Sequence, residues 1–277
     1  MMDPNHIRLA HTGTMVTTVC NLNCKLCCVG TPRLFADGKR LSFERLIRTY
    51  DKYFQVVEHV GKFSLGGGEP LLQPKLAALI EHIMRYREKF DVLEVITNGT
   101  LKPPQELIDV MSAHKDKVTV LIDKYGDLSP LADQVGEIFT MHEIPNQVRN
   151  YYGEDCHCGG WVDLGDFSLK HPEKEKQTEL FKRCAYYTGT TKIGICACDG
   201  LLYTCGRAYL TLHMGLIRKE PPYFVDLLDP AKTITQLQEE FVDLLNLECP
   251  SACAYCNGMC EDSVRYIPAE QQPRAAE

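Results

Sequence analysis

A chain of 277 residues, 44% of them hydrophobic and 24% charged, is long enough to bury a core and too apolar to stay disordered. Its formal net charge of -7 argues against the basic footprint nucleic acid needs, no run of 18 apolar residues offers a membrane span, and MMDPNHIRLAHTG has neither the basic nor the apolar region of a signal peptide. Fourteen cysteines without an export signal point away from disulfides and towards metal in a reducing, cytoplasmic setting, with iron–sulfur and zinc both open on composition alone.

In chain order, Thr14–Thr18 reads as a short β-branched strand running into a cysteine loop. Leu41–Val60 predicts a helix capped by Ser42, and Lys62–Leu65 a strand that ends in a glycine run. Pro74–Tyr86 is helical, Val92–Ile96 a strand ending at Thr97-Asn98-Gly99, and Pro104–Met111 the next helix. Val118–Ile122 is an almost purely apolar strand, as one covered on both faces should be; Leu128–Met141 follows as a helix and Gln147–Asn150 as a fifth strand. Alternating strands and helices predict parallel βαβ units of an α/β fold, whose loops after the strands meet at one mouth.

Beyond Tyr152 the pattern changes. Gly153–His171 reads as loop, Lys192–Cys205 as a hairpin turning at Asp199-Gly200, and Thr235–Leu247 as a helix with Thr235 and Gln238 as a capping box. ECPSACAYCNGMC follows, and the polar stretch after Ile267 is expected to fray. Lys170–Lys176 reads as a solvated charged face.

The chemistry concentrates in the loops after strands. Cys20, Cys24 and Cys27 have the spacing C-x3-C-x2-C. Three thiolates on one short loop can hold three irons of a [4Fe–4S] cube and leave the fourth open; a zinc knuckle or three unrelated buried thiols are the other readings. Gly66-Gly67-Gly68-Glu69-Pro70 follows the next strand and Thr97-Asn98-Gly99 the one after, and either alone is an ordinary turn.

Taken in order, Cys20, Cys24 and Cys27, the GGEP of Gly67–Pro70, and Thr97–Gly99 resemble the radical S-adenosylmethionine (radical SAM) superfamily over roughly residues 12–150. The resemblance implies a partial (β/α)6-type barrel, a [4Fe–4S] cluster on the three cysteines, and S-adenosyl-L-methionine chelating the open iron. It places the backbone of Gly67, Gly68 and Glu69 against the methionyl amine, by an approach only glycines allow. Thr97 and Asn98 join that cofactor site, and Asp123 with Lys124 would lie near the ribose. Two positions depart from the pattern: Leu26 stands where an aromatic residue is usual, which leaves adenine contact to backbone and apolar packing, and Cys28 directly follows Cys27 as a bystander thiol or an alternative ligand. The implied chemistry is one-electron cleavage of the cofactor to a 5′-deoxyadenosyl radical that takes hydrogen from an unreactive C–H, with an external reductant such as a flavodoxin or ferredoxin.

A second set of cysteines, Cys184, Cys205, Cys249, Cys253, Cys256 and Cys260, with Cys196 and Cys198 between, resembles the SPASM/Twitch extensions of that superfamily, which carry auxiliary [4Fe–4S] clusters. The abbreviated Twitch type with one cluster fits this short chain, on Cys184, Cys205, Cys253 and Cys256, with Cys260 the first alternate and Cys249 the second. Zinc on the same thiolates is the other reading. Four ligands would make an electron relay; three would leave an iron free for substrate. The expected division is a core barrel at 12–152, a connecting region at 153–183, an auxiliary-cluster domain at 184–262 with a small hairpin and helix, and a tail at 263–277.

Cys156-His157-Cys158 is either an exposed loop with incidental thiols or a pair of catalytic hydrogen donors, which an epimerase would need. Trp161 covers a substrate or packs its loop. These parts predict an oxidoreductase that abstracts hydrogen from a small polar substrate and dehydrogenates a sugar or aminocyclitol-like compound. Epimerisation or crosslinking of a ribosomal precursor peptide is the alternative, and the roughly nineteen residues before Cys20 leave no room for the leader-binding domain common in such enzymes. A non-catalytic zinc or electron-carrier protein is the third reading. Neither nucleic acid nor membrane is expected as a partner.

Overall fold

The computed structural model describes residues 3–4, 6–30, 41–188, 195–218 and 222–273. It opens with strand β1 (Arg8–Thr17) and helix α1 (Phe43–Val56), followed by β2 (His59–Gly67) and α2 (Leu76–Ile83). Next come β3 (Phe90–Thr97), α3 (Gln105–Ala113), β4 (Val118–Lys124), α4 (Ala132–Met141) and β5 (Asn146–Asn150). The second half holds β6 (Trp161–Val162), α5 (Lys174–Arg183), α6 (Ala185–Thr188), β7 (Ile195–Cys198), β8 (Leu201–Tyr203), α7 (Gly206–His213), β9 (Val225–Asp226), α8 (Ile234–Leu245) and β10 (Arg265–Tyr266). The main sheet runs β5-β4-β3-β2-β1-β7-β8-β9, with β1 to β5 parallel and β7 parallel to β1. This is the α/β, partial-barrel architecture expected. The sheet joins strands from both sides of residue 152, because the β7–β8 hairpin extends it at β1.

Alternation along each strand gives the sheet two distinct faces. Phe63 and Leu65, Leu93 and Val95, and Val120 and Ile122 pack with α1 to α4 in one continuous core. In α1, Ser42 caps the helix by accepting the Arg45 N–H at 3.2 Å, and Tyr50, Tyr53 and Phe54 each lie within 5.3 Å, centroid to centroid, of the Phe63 ring. The opposite, inner face is polar. Ser64 donates to Glu94 at 2.8 Å, Lys62 reaches the same carboxylate at 2.8 Å, and His11 meets Ser64 at 2.7 Å. Glu94 is buried and its position on β3 puts it opposite Ser64 on β2.

Several boundaries differ from expectation. α1 stops at Val56 because His59 and Val60 pair with Arg8 and Leu9; the apolar spacing simply continues across the junction. α2 gives way to a 3-10 turn at Met84–Lys89, and the residues before Ala132 form a separate 3-10 turn at Gly126–Leu128. The capping box of α8 is Thr233 with Gln236, two residues before the expected pair. α5 arises inside the stretch read as connection and includes Lys174 and Lys176, and α7 was not foreseen. The hairpin turns at Asp199-Gly200 as expected, while residues 192–194 lie outside the described ones. Residues 268–273 do not fray: they cross the N-terminal cysteine loop. No described helix is long and apolar enough to cross a membrane.

Candidate functional site

The N-terminal cysteines sit on the loop leaving β1, and the glycine run at the end of β2 holds that loop in place. Gly68 N–H donates to Thr17 O and Glu69 N–H to Val19 O, both at 2.8 Å. A Cβ on Gly68 would lie 2.0 Å from Val19 O, and one on Gly67, at φ +116°, would lie 2.4 Å from Thr17 O. These glycines are therefore demanded by the cysteine loop itself, a different neighbour from the cofactor amine that the resemblance implied. Gly66 is different: a Cβ there would meet only Thr14 O, at 3.6 Å, so the inner face beside it is open.

Glu69 ties three loops together. Its fully buried carboxylate accepts the Leu71 N–H at 3.1 Å, the Thr97 hydroxyl at 2.8 Å and the Asn98 N–H at 2.8 Å. Burial pushes its pKa up to about 7, with those three donors pulling the other way. Its backbone is engaged as well, the N–H on Val19 O and the carbonyl on the Leu72 N–H at 3.0 Å. Asn98 in turn donates to Asn21 Oδ1 at 3.0 Å and faces Cys20 Sγ at 3.9 Å, so the third strand's loop reaches the cysteine loop.

The three thiols share one small space. Burial pushes Cys20 up to about 11 and Cys24 up to about 12, and each feels Cys27 as a neighbouring charge. Neutral thiols in such a place are costly to ionise unless a cation compensates. Amide donors nevertheless face Cys20 and Cys24, which suits thiolates. The donor set fits a cluster held by Cys20, Cys24 and Cys27. Leu26 is half-buried and Cys28 exposed.

At the mouth above β4 and β5, Asp123 is buried and takes Arg149 at 2.7 Å, with the Tyr125 hydroxyl at 3.4 Å. Burial pushes Asp123 up and Arg149 pulls it down. Lys124 turns away to Asp133 at 2.5 Å. Asp123 and Lys124, expected near the ribose, thus each have a protein partner. Arg149, Tyr125 and Tyr151 were missed by the sequence reading. Tyr125 lies 5.4 Å from Tyr151 and 5.5 Å from Trp161, ring to ring, which brings Trp161 to the loop after β4. His157 packs on Tyr151, Cys156 is half-buried and Cys158 exposed.

The second cysteine set converges although its members are far apart in sequence. Cys184 ends α5, Cys205 precedes α7, Cys253 lies in the 3-10 turn Ser251–Tyr255 and Cys256 ends it. All four line one cavity with Tyr186 and Arg207. Burial pushes Cys205 up to about 12 and drives Cys253 higher, and Cys184, Cys205, Cys253 and Cys256 act on one another as neighbours. Cys260 is close to Cys184, and Cys249, buried beside the Thr178 hydroxyl at 3.6 Å, is a neighbour of Cys253. Arg207 stacks on Phe167 at 3.4 Å and donates to Gly165 O and Tyr255 O. Among the described residues no three His, Cys, Asp or Glu side chains close tightly enough around a point to hold a single metal ion, whereas a cube holds its thiolates around a larger body. The start of α7 approaches the N-terminal cysteine loop: a Cβ on Gly206, next to Cys205, would lie 3.9 Å from Cys28 O.

Residues 14–132 match the family model of the radical SAM superfamily. Over 115 residues the chain is 32% identical to a GTP 3′,8-cyclase of Parasynechococcus marenigrum, covering 39% of this chain and 32% of that protein. A GTP 3′,8-cyclase of Campylobacter lari is 29% identical over 156 residues, 56% of this chain and 45% of that one. The chain thus spans about a third to under a half of the curated relatives it matches. In fold it is similar to native anSMEcpe with bound AdoMet and Cp18Cys peptide, with a TM-score of 0.53 and 15% identity over 95% of this chain and 93% of that one.

Proposed function

Because the chain carries a radical SAM domain at residues 14–132, we propose an enzyme that cleaves S-adenosylmethionine reductively, abstracts hydrogen from a small polar substrate and oxidises it. When bound, the cluster and S-adenosylmethionine supply a 5′-deoxyadenosyl radical from one electron of an external flavodoxin- or ferredoxin-like donor. The chain's own residues do the rest. Cys20, Cys24 and Cys27 hold the cluster, and Glu69 keeps the loops after β2 and β3 in register with them. The open face beside Gly66 takes the cofactor, and the polar inner face of His11, Ser64 and Glu94 suits a hydroxylated or aminated substrate, such as a sugar or aminocyclitol.

The observation that carries the oxidation is the cavity lined by Cys184, Cys205, Cys253 and Cys256 beside the N-terminal loop. A substrate that has lost a hydrogen atom must lose one more electron and a proton to become a carbonyl, and an auxiliary cluster there would accept that electron. Residues 184–262 are on this reading the auxiliary-cluster domain. The similarity to GTP 3′,8-cyclases is confined to part of the chain and supports the radical domain, not their substrate. A peptide substrate is the second reading. It is favoured by a cleft of about 340 Å³ beside β6 and β10, where Tyr266 on the short two-stranded sheet and Val264 just before it are exposed.

The test is anaerobic turnover with dithionite and substrates deuterated at the carbinol carbon. Deuterium in 5′-deoxyadenosine together with a product lighter by two hydrogens is the expected result. Deuterium transfer without that loss of mass would overturn the oxidation, and transfer from a peptide alone would select the second reading.

A further inference from the structure

Residues 269–272 lie as a strap across the N-terminal cysteine loop. Gln271 bridges Cys24 antiparallel; Lys25 N–H donates to Glu270 O at 2.8 Å and Gln272 N–H to Asn23 O at 2.9 Å. The Asn23 side chain donates to Gln272 O at 2.7 Å. Ala269, where the strap turns, is fully buried at φ +54°.

Gln271 is exposed, yet both ends of its side-chain amide are bonded in this contact. Its Oε1 accepts the Asn23 N–H at 2.7 Å, while Nε2 donates to Ala269 O at 2.6 Å and to Cys24 Sγ at 3.3 Å. A backbone N–H can only donate and a carbonyl can only accept, so the amide has one orientation, and its second N–H must face the sulfur. Cys24 is 7% exposed, so water does not compete for that sulfur.

We propose that Gln271 is a positioning residue of the N-terminal cluster, fixing the Cys24 ligand and raising the cluster's reduction potential through its N–H to sulfur. This rests on the reading of Cys20, Cys24 and Cys27 as cluster ligands. An N–H dipole aimed at a ligating sulfur stabilises negative charge there. The reduced cluster carries one more negative charge than the oxidised one, so the donor favours reduction. The strap thereby couples a distant part of the chain to how readily an external one-electron donor loads the site.

The experiment is an electron-paramagnetic-resonance redox titration of the reconstituted full chain, with iron content measured alongside. Gln271→Met removes the donor at similar length. Gln271→Glu keeps an acceptor for Asn23 but turns an oxygen towards the sulfur. The expected result is full iron in both variants and, for Gln271→Met, a tenfold lower ratio of reduced to oxidised cluster at fixed potential, equal to about 59 mV for one electron. Gln271→Glu should fall further. Midpoints equal to wild type would overturn the proposal, and so would loss of iron from both variants, because Gln271 would then only pack. A wild type that takes up no iron would overturn the cluster reading beneath it; a loaded wild type with unmoved variants overturns the role of Gln271 alone.

Discussion

The two cysteine sites are built in opposite ways. The N-terminal thiols leave one strand on a single loop, and their neighbours, Gly68 and Glu69, hold that loop by backbone bonds to Thr17 and Val19. The C-terminal thiols come from the end of α5, the start of α7 and a 3-10 turn, and they meet only because those elements pack together. A local site of this kind needs the rest of the domain for its environment, whereas the dispersed one needs the fold for its existence. The difference predicts unequal responses to ligand loss.

The largest effect is expected from Cys20, Cys24 and Cys27 changed together to Ala. Bound iron should fall by half, from about eight atoms to about four at four per cube, and 5′-deoxyadenosine formation should disappear. Full cleavage by the triple variant would remove the radical reading. The next effect is selective. Cys253→Ala with Cys256→Ala should keep cofactor cleavage within about threefold while the oxidised product drops about a hundredfold, because on the proposed reading the two events use different irons. A cluster on those thiols would also tie α7 to the last loops, so circular dichroism must show the variant folded. A folded double variant with normal product would make the second site structural.

How far these sites are legible in sequence follows from the same contrast. The spacing of Cys20, Cys24 and Cys27 and the order of Gly67–Pro70 and Thr97–Gly99 survive in sequence because each group is one turn after one strand. The βαβ alternation was legible for the same reason, since each helix shows its apolar stripe locally. Arg149 on Asp123, the Glu94–Ser64–His11 set and Gln271 on Cys24 were not legible. Each depends on strand register or on a contact across most of the chain, and an isolated Arg, Glu or Gln carries no sign of its partner. The stretch after Ile267 looked frayed because it is polar, yet its backbone groups pair with the loop at Asn23 and Lys25. Its polar residues stay exposed on one side while their backbone groups bond to the loop on the other.

Two glycines sharpen the local side of the comparison at a smaller scale. Gly68→Ala would drive a Cβ to 2.0 Å from Val19 O, so the cysteine loop must shift. The expected cost is about 1–3 kcal/mol of stability, read by denaturant unfolding, together with lost iron. Gly66→Ala points to the open inner face, where the nearest atom is Thr14 O at 3.6 Å. It should keep stability and iron and weaken S-adenosylmethionine binding. Equal behaviour of the two variants would show that the glycine run is one undivided cofactor cradle.

The smallest effect is expected from Cys156→Ser and Cys158→Ser, singly or together. Cys158 is exposed and at φ +55°, on a turn that packs His157 against Tyr151, and Cys156 is half-buried. Neither lines the four-thiol cavity. If the substrate radical is oxidised, no hydrogen atom has to be returned to it, and product formation should stay within about twofold of wild type. If instead the reaction is redox-neutral, a donor must return hydrogen to carbon. Loss of one thiol would then leave the radical to quench, and product would fall while deuterium still appeared in 5′-deoxyadenosine. Serine keeps the size and a hydroxyl but holds its hydrogen too tightly to give it up, so the pair of readouts, product against deuterated 5′-deoxyadenosine, separates donor from bystander. A collapse of product in either serine variant, with the Cys253 and Cys256 double variant still turning over, would move the decisive chemistry from the dispersed site to this loop and make the enzyme an epimerase.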